Sequence, residues 1–130
     1  MTEKRRILFV DDEEAVLRFL KRALEQAGGY EVATEQNGKR ALQTVREFKP
    51  QMIFMDISMT DLDGPSAVYE IRSDVEFAHV PIVFLTGAVS PEEVARAEEG
   101  KIGGQLFLAK PIDPKAVVNC IEKHLGPKPA

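Results

Sequence analysis

The sequence predicts an α/β domain with five parallel strands in a doubly wound sheet and helices on both faces. Three observations carry the prediction. Five short apolar runs punctuate the chain, and four of them are near-continuous rather than alternating, the pattern of strands covered on both faces. Amphipathic stretches with helical spacing lie between the runs, joined by connections short enough for right-handed crossovers onto a parallel sheet. At 130 residues the chain fits a single domain that buries a core without disulfides or a structural metal.

The elements follow in order. Ile7 to Val10 is the first run, and Val16, Leu17, Leu20, Ala23, Leu24 and Ala27 keep helical spacing until Gly28 and Gly29 stop the helix. Tyr30 to Thr34 leans towards strand by its residue types. Ala41, Leu42, Val45 and Phe48 mark a second helix that ends by Pro50, ahead of the third run, Met52 to Met55. A third helix starts near Pro65 and carries Val68, Ile71 and Val75; the fourth run is Ile82 to Leu85. Ser90, with Pro91 in the first turn, opens a fourth helix. The fifth run is Leu106 to Ala109, and the last helix starts at Asp113 and Pro114 and carries Val117, Val118, Ile121 and Leu125. The domain is expected over residues 1–125. Residues 126–130, "GPKPA", have the composition of a linker stub or a frayed end, and no internal repeat is visible.

Composition narrows the function. With 44% hydrophobic and 29% charged residues, no tryptophan and no long apolar run, the chain reads as a soluble globular protein with no membrane span. Only four apolar residues follow the basic "EKRR" before Asp11, too few for a secretory signal, so a cytoplasmic location is expected. The single Cys120 fits a reducing compartment and lies in a helical pattern, where it reads as a small, partly buried hydrophobe. Net charge is −4, and the one basic cluster, Lys4 to Arg6, is too short to be a nucleic-acid footprint.

The stretch "FVDDEE" crowds Asp11, Asp12, Glu13 and Glu14 at the end of the first strand. Like charges that close repel and raise one another's pKa, so the cluster calls for a bound cation, or for solvation at a helix N-terminus where acids suit the macrodipole. The other strand ends favour the cation. Asp56 follows the third run, Thr86 the fourth and Lys110 the fifth, and in a parallel sheet all of these face one edge, where ligands bind. Three carboxylates with room for waters suit Mg²⁺, or Mn²⁺ in its place. Asp56, alone at its strand end, is the candidate nucleophile, since a carboxylate accepts a phosphoryl group as a mixed anhydride when a metal neutralises the developing charge. Asp11 and Asp12 would hold the metal. The Thr86 hydroxyl and the Lys110 ammonium would meet the phosphoryl oxygens.

The segments "VDDEE", "FMDISMTDLDG", "PIVFLTG" and "LFLAKPID" resemble the four signature segments of response-regulator receiver domains, the phosphoacceptor modules of two-component signalling. The likeness is to the chemotaxis-regulator type and runs from about Ile7 to Leu125. It implies a (βα)₅ flavodoxin-like receiver fold. It further implies that Asp12 binds Mg²⁺ directly and Asp11 mainly through water, that Asp56 is phosphorylated, and that Ser58 gives its backbone carbonyl to the metal. Thr86 and Lys110 match the family's hydroxyl and lysine, Phe107 matches its aromatic switch position, and the Lys110–Pro111 bond is expected to be cis. Departures are Thr60 in place of a proline, Phe107 in place of the commoner tyrosine, and the added backbone freedom of Gly87, Gly103 and Gly104.

The implied function is a phosphorylation-controlled binding module that phosphorylates and slowly dephosphorylates itself without being a turnover enzyme. Its partners would be a sensor histidine kinase or phosphotransfer protein upstream and a protein target or fused effector domain downstream, with a phosphorylation-dependent homodimer as a further outcome. Two rivals stand beside it. An aspartyl-phosphate phosphohydrolase wants a second aspartate two residues after the nucleophile, where this chain has Ser58; a degenerate receiver would have lost an acid, the threonine or the lysine, and none is lost. His79 and His124 lie away from the strand ends and read as structural. Glu92, Glu93, Glu98 and Glu99 read as a solvated helix face, with partner contact as the alternative.

Overall fold

The computed structural model describes residues 4–59, 62–88, 92–93, 101–102 and 105–127. The helix expected from Ser90, and with it Glu98 and Glu99, lies outside the described residues, as do Thr60, Gly103 and Gly104.

Strand β1 (Arg5–Val10) leads to helix α1 (Glu14–Ala27), β2 (Tyr30–Glu35), α2 (Ala41–Phe48), β3 (Met52–Asp56) and α3 (Gly64–Arg72). Then come β4 (Ile82–Thr86), the short β5 (Lys101–Ile102), β6 (Gln105–Ala109) and helix α4 (Pro114–Leu125). The sheet order is β2-β1-β3-β4-β6-β5. The five strands foreseen in the sequence pair in parallel, and β5 adds a two-residue antiparallel edge on β6, too short to leave a periodic signal.

Side chains alternate across the sheet because strand residues point to opposite faces in turn. Ile7 and Phe9 of β1, Met52 and Phe54 of β3, and Val83 and Leu85 of β4 pack under α1 and α4, against Leu17, Leu20, Leu24, Val117 and Ile121. Phe9 and Phe54 sit in register, their rings stacked 5.1 Å apart. Leu8, Val10, Ile53, Met55, Ile82 and Phe84 face the other way, onto Ala41 and Val45 of α2 and Ala67 and Ile71 of α3. This two-sided burial is why β1, β3 and β4 read as continuous apolar runs. Strand β2 is buried only at alternate positions over its first half, since it closes one edge of the sheet. Full burial of each large apolar side chain contributes about 1.5–3 kcal/mol, so the two layers together hold the sheet between its helices.

Several boundaries differ from the sequence expectation. Strand β1 begins two residues early, at Arg5, because its buried guanidinium donates to the carbonyls of Leu125, Gly126 and Pro127 and thereby satisfies the end of α4. The glycine stop after α1 holds, with positive φ at Gly28 and Gly29. Helix α2 stops at Lys49, which takes a left-handed conformation and donates its N–H to the Val45 carbonyl; Pro50 then follows. Helix α3 opens as expected, with Asp63 accepting from the Ser66 N–H at 2.8 Å and Pro65 in the first turn. It does not reach Val75, which is 90% exposed in a short 3₁₀ turn, while Phe77 fills the core position instead. The cause is local: Asp74 accepts from the Glu76 N–H to start the new turn, and Arg72 holds the carbonyls of Phe77, Ala78 and Val80. Asp113 caps α4 by accepting from the Lys115 N–H.

Candidate functional site

Because β1, β3, β4 and β6 run parallel, their carboxyl ends open on one edge. The chain leaves β1 for β2 on one side and returns to β3 on the other, so the crevice between β1 and β3 is the switch point of the fold. Asp11 follows β1 and is fully buried; Asp56 ends β3 and is 5% exposed. Carboxylate oxygens of Asp11, Asp12 and Asp56 all lie within 4.8 Å of one another. Lys110, just past β6, reaches into this group, with Nζ 3.1 Å from Asp56 Oδ1 and 3.3 Å from Asp11 Oδ2. The Lys110–Pro111 bond is cis, as the sequence likeness implied.

The four acids of "FVDDEE" divide between the two explanations offered for them. Asp11 and Asp12 join the cluster. Glu13 lies at the rim, with Oε1 3.8 Å from Lys110 Nζ, while its N–H donates to Asp11 Oδ1 at 2.9 Å. Glu14 opens α1 and pairs on the surface with Arg18 one turn on. Asp11 and Asp12 are thus placed where a cation could bind, and Glu14 where the helix terminus favours an acid.

Electrostatics follow from burial. Burial pushes the Asp56 carboxyl above the usual aspartate range, the charges of Asp11 and Asp12 add to the rise, and the Lys110 hydrogen bond opposes it. For Lys110, burial alone would favour the neutral amine, but the hydrogen bond to Asp56 and the charges of Asp11 and Asp56 outweigh it and hold the ammonium above the ordinary lysine value. One lysine does not satisfy the cluster. Asp11 Oδ2 is closed to solvent and accepts no hydrogen bond, although Lys110 Nζ lies within ion-pair distance. An unsatisfied buried carboxylate oxygen beside two more acids is what a hard divalent cation, binding through oxygen, would complete.

Thr86 is nearly buried at the end of β4, and its hydroxyl oxygen accepts from the Ala88 N–H at 3.0 Å. The Thr86 carbonyl in turn accepts from the Lys110 N–H at 2.8 Å, so hydroxyl and lysine are set on adjoining strand ends. Phe107 stands apart from the acids. It is half-buried and tilted against Phe84 at a centroid distance of 5.8 Å. Thr86 pairs with Ala109 and Phe84 with Phe107, which makes Thr86 and Phe107 diagonal neighbours on one sheet face. Ser58 is exposed on the loop two residues after Asp56.

Two residues that shape the site escaped the sequence reading. Glu13 was visible as an acid but not as a member of the rim. Gly64 opens α3 against the end of β3: a Cβ there would collide with the Asp56 carbonyl oxygen and lie 3.0 Å from Ile57 Cα, and its N–H donates to the Ile57 carbonyl. The Gly before Pro65 in "DLDGPS" was the available signal. Cys120 is partly buried and its thiol is pushed up to about 11 by burial, in keeping with a packing role. His124 Nδ1 lies 2.8 Å from the Cys120 carbonyl within α4, and His79 is exposed in a turn.

The family model for the response regulator receiver domain matches residues 7–122. The chain belongs to that family. The receiver is 30% identical over 120 residues to the polar-differentiation response regulator DivK of Brucella anthropi, covering 92% of this chain and 95% of that protein. Among solved structures, the Vibrio cholerae chemotaxis protein CheY4 superposes with a TM-score of 0.77 at 27% identity, over 92% of this receiver and 98% of that chain. A putative response regulator from Chloroflexus aurantiacus gives 0.78 at 27% identity, over 96% and 100%. The CheY-like fold foreseen from the four segments is thus the fold observed, in a response regulator of two-component signalling.

Proposed function

We propose that this receiver accepts a phosphoryl group on Asp56 from a phosphohistidine, in a reaction supported by Mg²⁺ or Mn²⁺, and that the phosphorylated state alters a partner-binding surface. The observation that carries the proposal is the placement of Asp56, buried at a strand end with Lys110 Nζ at 3.1 Å and two further carboxylates within 4.8 Å. In the transfer an Asp56 oxygen attacks phosphorus, the phosphorus–nitrogen bond breaks, and its electron pair leaves with the imidazole, which takes a proton from solvent. Attack by water on the same phosphorus later breaks its bond to the Asp56 oxygen, which regenerates the carboxylate and releases inorganic phosphate. Asp11, Asp12, Asp56 and the Ser58 carbonyl would hold the cation, which when bound neutralises charge on the phosphoryl oxygens. Lys110 adds a positive charge to that group. The Thr86 hydroxyl already accepts from Ala88, which leaves its own proton to donate to a phosphoryl oxygen.

The donor must cover the rim of this site. A groove of about 480 Å³ continues from Glu13 and Lys110 along Val16, Phe19, Leu20, Pro111 and Ile112, and Phe19 is 55% exposed in it. We assign this groove to the sensor kinase or phosphotransfer protein that presents the phosphohistidine, since it starts at Glu13 and Lys110 on the rim of the site and offers apolar surface beside it. No helix among the described residues is long and apolar enough to cross a membrane. A phosphohistidine donor of two-component signalling would meet the regulator in the cytoplasm, the location we assign to it. Its output is a conformation read by a protein target or a linked effector domain, and it turns over only its own phosphoryl group.

Incubation with Mg²⁺ and a small phosphodonor, followed by intact mass and site mapping, tests the reading. One phosphoryl group on Asp56, lost in Asp56→Asn, is expected. Label that persists in Asp56→Asn and maps to a serine or threonine would overturn it.

A further inference from the structure

Gly38 lies far in sequence from the acids, in the 3₁₀ turn Gly38–Arg40 between β2 and α2, and is buried. A Cβ at this position would collide with the Leu62 carbonyl oxygen and lie 3.2 Å from both the Leu62 carbonyl carbon and Met59 Cε. Backbone on one side and the loop after Asp56 on the other thus meet with no space between them. The turn is itself held firmly. Asn37 Oδ1 accepts from the Lys39 N–H at 2.9 Å, and the Asn37 N–H donates to Glu35 Oε2 at 3.0 Å. Thr44 Oγ1 donates to Glu35 Oε1 at 2.6 Å, and the Glu35 carbonyl accepts from the Asp11 N–H at 3.1 Å. One connected set of contacts therefore runs from the backbone of Asp11, through Glu35 and the turn, to Met59 and Leu62. From there the chain enters Gly64, which abuts Asp56.

We infer that Gly38 is a positioning residue for the metal site: the β2–α2 turn braces the loop that carries Ser58, so the position of that carbonyl relative to Asp11 and Asp56 depends on the absence of a side chain at residue 38. The inference rests on the functional reading above. A backbone carbonyl cannot swing away as a flexible side-chain tip can, so even one methyl group must displace the loop or the turn. Donor sets for small cations tolerate such displacement poorly, because Mg²⁺ demands near-ideal octahedral geometry.

The test compares Mg²⁺ affinity by calorimetric titration in wild type, Gly38→Ala and Ile121→Ala, with thermal midpoints measured on the same samples. Ile121 is buried on the opposite face of the sheet, so its truncation lowers stability without touching the turn. A rise in the Mg²⁺ dissociation constant of threefold or more in Gly38→Ala, with Ile121→Ala unchanged, is expected. Wild-type affinity in a folded Gly38→Ala would overturn the role of Gly38. An independent measurement needs no variant: amide shifts of wild type during Mg²⁺ titration should move Gly38 and Lys39 with the same midpoint as Met59. Fixed Gly38 and Lys39 resonances while Met59 shifts would also overturn it. Failure of wild type to bind Mg²⁺ at all would remove the functional reading itself, a distinct result.

Discussion

At the scale of single residues, Asp56 is a group the fold holds at a cost. Its carboxyl titrates above the ordinary aspartate value, first because it is buried and then because Asp11 and Asp12 repel its charge. A carboxyl whose pKa is raised on folding favours the folded state below its unfolded pKa, and that contribution is lost as pH rises through the folded pKa. At neutral pH, without divalent cation, Asp56→Asn should therefore raise the thermal midpoint, and the gap from wild type should narrow as pH falls below the raised pKa. Calorimetric scans of both proteins across that range in chelator check it, and a lower midpoint for Asp56→Asn at pH 7 would contradict the assigned cause. Added Mg²⁺ should reverse the order. At a concentration one hundred times its dissociation constant, a ligand that binds only the folded state adds about 2.7 kcal/mol. Wild type should gain this and Asp56→Asn much less.

At the scale of elements, the proposed function makes the adjoining ends of β4 and β6 the switch. Thr86 and Phe107 are diagonal neighbours on one face, with Phe107 resting on Phe84. Shifting a two-state equilibrium from 1:99 to 99:1 takes about 5.5 kcal/mol, whereas one charge-assisted hydrogen bond contributes roughly 1.5–3 kcal/mol. Contacts from a phosphoryl group to Thr86 and Lys110 together barely reach that figure, and one alone falls short. Thr86→Ala should thus accept the phosphoryl group on Asp56 yet switch only partly. NMR spectra with and without beryllofluoride decide this, since equal shifts around Phe107 in wild type and Thr86→Ala would exclude the coupling. Helix α1 supplies the second prediction at this scale. Truncating a half-exposed aromatic that contacts a partner removes apolar burial but leaves the chemistry intact, so Phe19→Ala should slow phosphotransfer from the cognate phosphohistidine protein by tenfold or more. Its rate with a small phosphodonor should stay within about twofold of wild type. Equal loss with both donors would place Phe19 in the catalytic geometry instead.

At the scale of the whole molecule, one side chain of β1 ties the start of the described chain to the end of α4. Arg5 is buried and donates to the carbonyls of Gly126, Leu125 and Pro127, at and just past the end of α4, at 2.7, 3.1 and 2.8 Å. Arg5→Met keeps the apolar stem and strands those carbonyls. With about 1–3 kcal/mol for each buried polar group left unsatisfied, and water able to reach part of the site, a loss of about 2 kcal/mol is expected in urea unfolding. Faster amide exchange confined to the last turn of α4 should accompany it. A change under about 0.5 kcal/mol would show that solvent replaces Arg5 without penalty.

Strand and helix alternation was legible in the sequence because burial on both faces of β1, β3 and β4 writes continuous apolar runs. Helix ends were legible where a local rule operates, as at Gly28 and Gly29, Asp63 with Pro65, and Asp113 with Pro114. The polar residues at the strand ends could be collected because parallel strands send their carboxyl ends to one edge. What depends on contacts between distant segments was not legible. The helical spacing that ran on to Val75 was broken by Asp74 and Arg72, and Arg5 gained its place in β1 from carbonyls about 120 residues away. "FVDDEE" showed four equal acids, and only the folded chain divided them: Asp11 and Asp12 meet Asp56, Glu13 stays at the rim near Lys110, and Glu14 pairs with Arg18 on the surface. Gly38 carried no chemical signal and Gly64 only its place before Pro65, since each abuts backbone that the sequence does not place. Local propensity and periodicity act over a few residues and are written there; the shape of a site is set by segments that meet only once the chain is packed.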